Sequence, residues 1–243
     1  MSDTAPLKTV PEAKELGQFS LADIAIRLPG STAVLHRHRL DFCCGGKKTL
    51  ADAAAEKNLD VAAIREELAA LPLGAGSGQK APTTAKELID HIIVRYHEVH
   101  RQQFPELIRM AERVEKVHGE RPDVPRGLAA LLHSMQAEME EHMQKEEQML
   151  FPMMKSSDGT PVANGPIAAM RHEHDAQGLH VDKMAEITHN ETPPEGACNT
   201  WRALYSGLAQ LRHDMMEHIH LENNVLFPQF EPKEKRAAAQ PVA

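Results

Sequence analysis

Two stretches of the chain repeat one arrangement. HMQKEEQMLFP at 142–152 and HIHLENNVLFP at 218–228 each place a glutamate one helical turn after a histidine and close on Leu-Phe-Pro. Residues four apart on a helix lie about 5–6 Å from each other on one face. His142 with Glu146, and His218 with Glu222, can therefore each reach a single ion. His97 and His174 complete the pattern. Ile89 and Ile93 lead by steps of four to His97, and Ile167 and Met170 lead to His174. The intervals His97–His142 and His174–His218 are nearly equal, so the chain reads as a duplicated helical hairpin in which each copy supplies His, His and Glu.

Four imidazoles and two carboxylates suit a dinuclear centre, with two imidazoles on each metal and the carboxylates bridging the pair. This donor set fits iron, manganese or zinc, and the lack of a thiolate in these stripes argues against a structural zinc site. The competing reading is six core polar residues satisfied by hydrogen bonds. Six residues in two matching copies weigh against it.

These residues need helices to hold them. Leu128, Leu131, Met135, Met139, Met149 and Leu150 form a stripe of helical period that passes through His142 and Glu146. Trp201, Leu204, Tyr205, Leu208, Leu211, Met215, Val225 and Leu226 form another, through His218 and Glu222. Both pairs then face a core, where unpartnered polar groups are costly. Four long helical segments are predicted, over about 84–117, 126–151, 166–188 and 200–227. Thr84 and Glu87 offer a capping box for the first. Short loops between them predict an up-down four-helix bundle. The fold class is all-α, with this bundle preceded by a small helical domain. The expected divisions are a flexible tail over 1–18, a small helical cysteine domain over 19–72, a Gly/Ser/Pro-rich linker over 73–83, the bundle over 84–231 and a second tail over 232–243.

Composition agrees. With 42% hydrophobic residues the 243-residue chain can bury a core, and with only 4% aromatics it favours helix over sheet. A net charge of −8 without a basic tract excludes a nucleic-acid partner. No apolar run reaches the roughly 20 residues of a membrane span, and the first residues show no secretory signal. Three cysteines, two of them adjacent, do not make a disulfide framework, and a reducing cytoplasm is the expected location.

The stretches DFCCGGKKTL, IDHIIVRYHEVHR, HMQKEEQMLFP, EHD and HIHLENNVLFP resemble those of the iron-sulfur cluster repair proteins of the RIC type, from about Leu21 to Phe230. The resemblance implies a hemerythrin-like bundle behind a small cysteine domain. It also implies two non-haem iron ions, oxo- and carboxylate-bridged, held by His97, His142, Glu146, His174, His218 and Glu222. Repair of clusters damaged by nitric oxide or oxidative stress is the implied function, through iron donation or nitric oxide removal. Damaged iron-sulfur proteins and nitric oxide are the implied partners, for a monomer or a homodimer. Two alternatives use the same ligands: a nitric oxide-reducing enzyme, and a module that binds or senses oxygen or nitric oxide. Oxygen-carrying hemerythrins resemble the chain less, having a fifth histidine and an aspartate.

Glu138 and Glu173 are candidate acids beside the ligands, able to orient a histidine or move protons. His91, His172 and His220 read as surface residues, and His100 as a pocket-lining residue that does not ligate. Met135, Met139 and Met143 could suggest copper, but methionine more often fills cores, and Met143 is expected to point outward. Cys43 and Cys44 precede a helical pattern capped by Thr49, beside Lys47 and Lys48. Cations and a helix N-terminus are expected to favour the thiolate. The pair then reads as a redox pair, an iron or nitrosyl ligand, or a docking contact, against the plain alternative of inert thiols. His36 and His38 read as surface residues and Cys198 as incidental.

Overall fold

The computed structural model describes residues 13–71, 84–157 and 164–231. The expected linker, the C-terminal tail and most of the N-terminal tail lie outside these residues. All described elements are helical, and the one β-type pairing is an isolated bridge between Ser20 and Thr49. The chain divides into two compact units, one formed by residues up to 83 with those from 216 onward, the other by residues 84–215.

The first unit packs short helices: α1 (Ala13–Leu16), α2 (Leu21–Arg27), α3 (Ser31–Arg37), α4 (Leu50–Glu56) and α5 (Val61–Ala69). Local chemistry sets their starts. The side chains of Ser20, Thr49 and Asp60 accept the backbone N–H groups that open α2, α4 and α5, groups that otherwise lack a partner in a helix's first turn. Leu21, Ile24, Leu35, Leu40, Phe42, Leu50, Ile64 and Leu68 form the shared core.

The second unit holds α6 (Ala85–Ile92), α7 (Glu98–Val117), α8 (Leu128–Lys145), α9 (Phe151–Ser156), α10 (Asn164–Ile187) and most of α11 (Asn199–His220). Thr84 and Glu87 form the predicted capping box on α6. α8 follows Gly127, whose φ of 84° is the left-handed conformation that glycine adopts without strain. Phe104, Leu107, Ala111, Leu132, Met135, Met139, Met184, Trp201, Leu204 and Leu208 interlock in a single core.

Three helices contain a wider π turn: Ile93–His97 between α6 and α7, Glu146–Leu150 after α8, and Leu221–Leu226 after α11. Each π segment contains one of the sequence-selected residues, His97, Glu146 or Glu222. π turns are rare and concentrate at functional positions. They also correct the apolar stripes. An unbroken α period puts Met149 in the core, yet it is 64% exposed, because the turn that starts at Glu146 advances the buried face to Leu150, Phe151 and Met154. Met143, expected to point outward, is buried, because α8 packs against both α7 and α10.

Candidate metal centre

His97 ends one π turn and Glu146 begins another, and both are fully buried. His97 Nε2 lies 3.4 Å from Glu146 Oε2, and His142 Nε2 lies 3.5 Å from the same oxygen. His174, from α10, brings its Nε2 to 3.1 Å from His142 Nε2. The ligand atoms offered by His142, Glu146 and His174 lie within 4.8 Å of one another. A glutamate oxygen beside two imidazoles, with a third imidazole edge facing in, is a donor set for a borderline divalent or trivalent cation.

The outer nitrogens explain why the Nε2 edges turn inward. His97 Nδ1 is 2.8 Å from Glu147 Oε1, and His142 Nδ1 is 2.8 Å from Glu173 Oε2. A carboxylate on one ring nitrogen holds the proton there and leaves the other as a lone-pair donor. Both carboxylates are backed by a cation: Arg101 donates to Glu147 and Glu140, and Lys145 donates to Glu173. Partial burial alone would raise the Glu173 carboxyl, but Lys145 and His142 outweigh it and hold it below the ordinary carboxylate range. Phe151 stacks on the His97 ring at 5.7 Å between centroids.

Glu173 therefore stands where the sequence put it. Glu138 does not: its carboxylate meets Ser134 and His180 on an exposed face of α8, because the residue that packs inward one turn before His142 is Met139. Glu147 escaped the sequence reading. Its signal was its position beside Glu146, as Glu173 stands beside His174. His100 is buried, with Nδ1 3.2 Å from Gln103.

In the other unit, α11 runs on into its π turn and carries His218 and Glu222, both buried, with Nε2 3.2 Å from Oε1. The same turn grips the cysteine loop. Asn224 Nδ2 donates to the carbonyls of Phe42 and Cys43, at 3.2 and 3.3 Å, and His220 Nδ1 stands 3.3 Å from the Phe42 carbonyl. His220 is thus buried rather than on the surface, packed edge-on to Phe42. Burial pushes its pKa down to about 4, against the pull of the Phe42 carbonyl, so the ring is neutral.

The thiols are Cys43, buried, and Cys44, half-buried, with Sγ atoms 3.8 Å apart. The expected cationic setting is absent. Lys48 pairs with Glu56, and the group beside the thiols is the Asp41 carboxylate. The hydrogen bond with Cys44, then burial, then Asp41, push the Cys43 thiol well above its ordinary range. Thr49 does cap α4 as expected. Cys198 lies 3.3 Å from His118 Nε2.

Comparison with known proteins matches the chain in two parts. Residues 88–230 match the Hemerythrin HHE cation binding domain, and residues 17–72 match ScdA_N, a domain of unknown function. The iron-sulfur cluster repair protein YtfE of Yersinia pestis (strain Pestoides F) is 53% identical over 212 residues, which is 86% of this chain and 95% of that protein. YtfE of Yersinia pseudotuberculosis serotype O:3 (strain YPIII) matches to the same extent, with 53% identity over 86% of this chain.

Proposed function

The chain belongs to the hemerythrin HHE cation-binding family and, within it, to the iron-sulfur cluster repair proteins, and from that premise we propose that it is a di-iron protein restoring iron-sulfur clusters damaged by nitric oxide or oxidative stress. The proposed ligands are His97, His142, Glu146, His174, His218 and Glu222. The observation that carries the reading is the buried trio His142, Glu146 and His174, with His142 and the neighbouring His97 each fixed by a carboxylate on the outer nitrogen. The sequence repeat and the single cation-binding domain over 88–230 support extending the set to His218 and Glu222. We assign the metal as two non-haem irons bridged by an oxo group and carboxylates. Such a centre supplies redox and ligand-binding chemistry toward iron cargo or nitric oxide. The protein's own residues hold ligand orientation, through Glu147 and Glu173, while Phe151 covers the face of the His97 ring.

The domain reading that goes with this is a cysteine domain over 19–72 and a bundle over 84–231, joined by the linker at 73–83. Cys43 and Cys44 are the proposed thiol pair, passing iron to or from damaged iron-sulfur proteins in the cytoplasm. No helix among the described residues is long and apolar enough to cross a membrane.

Metal analysis with the visible spectrum tests the centre. About two irons per chain are expected, with oxo-bridge charge-transfer bands that disappear in Glu146→Ala and Glu222→Ala. Iron content untouched by both changes would remove the centre from these residues. Cys43→Ala with Cys44→Ala should keep the iron and lose cluster repair; unchanged repair would sink the role of the pair. Anaerobic conversion of nitric oxide to nitrous oxide by the reduced protein would move the reading toward the reductase alternative.

A further inference from the structure

The dithiol loop is held from both sides. Asp41 accepts the backbone N–H groups of Cys43, Cys44 and Gly45, at 3.1, 2.9 and 2.8 Å. On the other side, Asn223 and Asn224 hold the Cys43 carbonyl, and Asn224 also holds that of Phe42. Gly46 seals the turn: a Cβ there would meet the Phe42 carbonyl oxygen at 2.6 Å. A loop fixed this closely keeps its side chains in one arrangement, which is what a binding site needs.

That arrangement has a definite size. Two thiolates bound at about 2.3 Å to one tetrahedral ion stand about 3.8 Å apart. The Sγ atoms of Cys43 and Cys44 are 3.8 Å apart already. Cys43 donates its S–H to Asp41 Oδ1 at 3.1 Å, so the oxygen that receives the proton's direction stands next to where an ion would replace that proton. The donor atoms of Asp41, Cys43 and Cys44 all lie within 4.8 Å of one another.

We propose that Cys43, Cys44 and Asp41 form a second cation site, of sulfur chemistry, that takes one thiophilic divalent ion of the zinc or cadmium type. The selection is by softness. Both thiols must give up their protons to solvent when the ion binds, one M²⁺ replacing two H⁺, and only an ion with strong sulfur affinity drives that exchange from a pair whose Cys43 thiol is buried. Hard ions such as Mg²⁺ are refused because Asp41 alone is an oxygen donor. Three protein donors leave a tetrahedral ion one position for an incoming ligand, so the site suits handing an ion on rather than storing it. Cys44, the more exposed thiol, faces that exchange. The proposal shares with the functional reading the idea that this pair is chemically active, and it is independent of the His/Glu centre.

Cadmium titration of the full-length protein under anaerobic conditions tests it. One equivalent should bind, with the ultraviolet thiolate-to-cadmium charge-transfer band and release of two protons. The His/Glu centre contains no sulfur and contributes nothing to that band. Cys44→Ser should abolish the band while the loop's backbone contacts persist. Asp41→Asn should weaken binding about 10–100-fold, and Cys198→Ser should bind as the unmodified chain does. A band of the same strength in Cys44→Ser, or its absence from the unmodified protein, overturns the site. If the band is absent but the double alanine variant still loses cluster repair, the site proposal fails and the reading of the pair as working thiols stands.

Discussion

Removing Glu147 should loosen the metal more than its position suggests. Its carboxylate touches no proposed metal directly; it meets His97 Nδ1 at 2.8 Å, and Arg101 meets the same oxygen at 2.9 Å. In Glu147→Ala, the buried His97 ring loses the group that keeps its proton on Nδ1 and fixes its rotation. Loss of such an outer carboxylate typically costs 10–100-fold in metal affinity, about 1.4–2.7 kcal/mol. Glu173→Ala should cost a similar amount through His142, since that contact has the same length and Lys145 plays the part of Arg101. The double change should cost other than the sum of the two, because both rings face the same Glu146 oxygen and so share a partner. Glu147→Gln, which keeps an acceptor oxygen, should recover most of the loss. The assay is the rate at which a strong chelator strips iron from each variant at fixed pH, with the visible spectrum followed in parallel. Iron retention unchanged in both alanine variants, or no recovery in Glu147→Gln, would refute the argument that these contacts orient the ligands.

Acid should weaken the first unit through His220. Above pH 6.5 neither folded nor unfolded His220 holds a proton, and it contributes no pH dependence. Between 6.5 and about 4 the unfolded chain takes a proton that the buried ring refuses, so stability falls as pH falls, by up to about 3 kcal/mol at about 1.4 kcal/mol per pH unit. His220→Gln should flatten that window in urea unfolding measured from pH 7 to 4; an equally steep decline would count against it. Gly46→Ala should destabilise the same unit by about 1–3 kcal/mol, because the new Cβ meets backbone rather than a movable side chain; a thermal scan with an unshifted midpoint would contradict this. Leu208→Ala, at a fully buried point of the bundle core, should cost about 2–5 kcal/mol in denaturant titration.

Much of the fold was legible because its signals are periodic or chemical. The capping box at Thr84 and the cap at Thr49 depend on neighbours in sequence, and each stands where it was read. What failed depended on shape. Met149 was misplaced because periodicity assumes a constant 3.6 residues per turn, and the π turn at Glu146 breaks it. His220 was misplaced because its burial comes from a loop far away in sequence. The thiol setting was misread because Lys48 turns to Glu56, while Asp41 folds back onto the loop. Glu147 needed a partner on another helix to become visible.

The π turns also say something about insertions and deletions. A π turn holds one residue more than an α turn, and each residue of an α-helix rotates the next by about 100°. Deleting a single residue within Glu146–Leu150 would let the helix relax to ordinary α geometry. The downstream face would then swing by about 100°, turning Leu150, Phe151 and Met154 away from the core they now fill. Length at these three turns is therefore held as tightly as residue identity. Sequences that keep every histidine and glutamate but lose one residue between Glu146 and Phe151 should misfold at that end of the bundle.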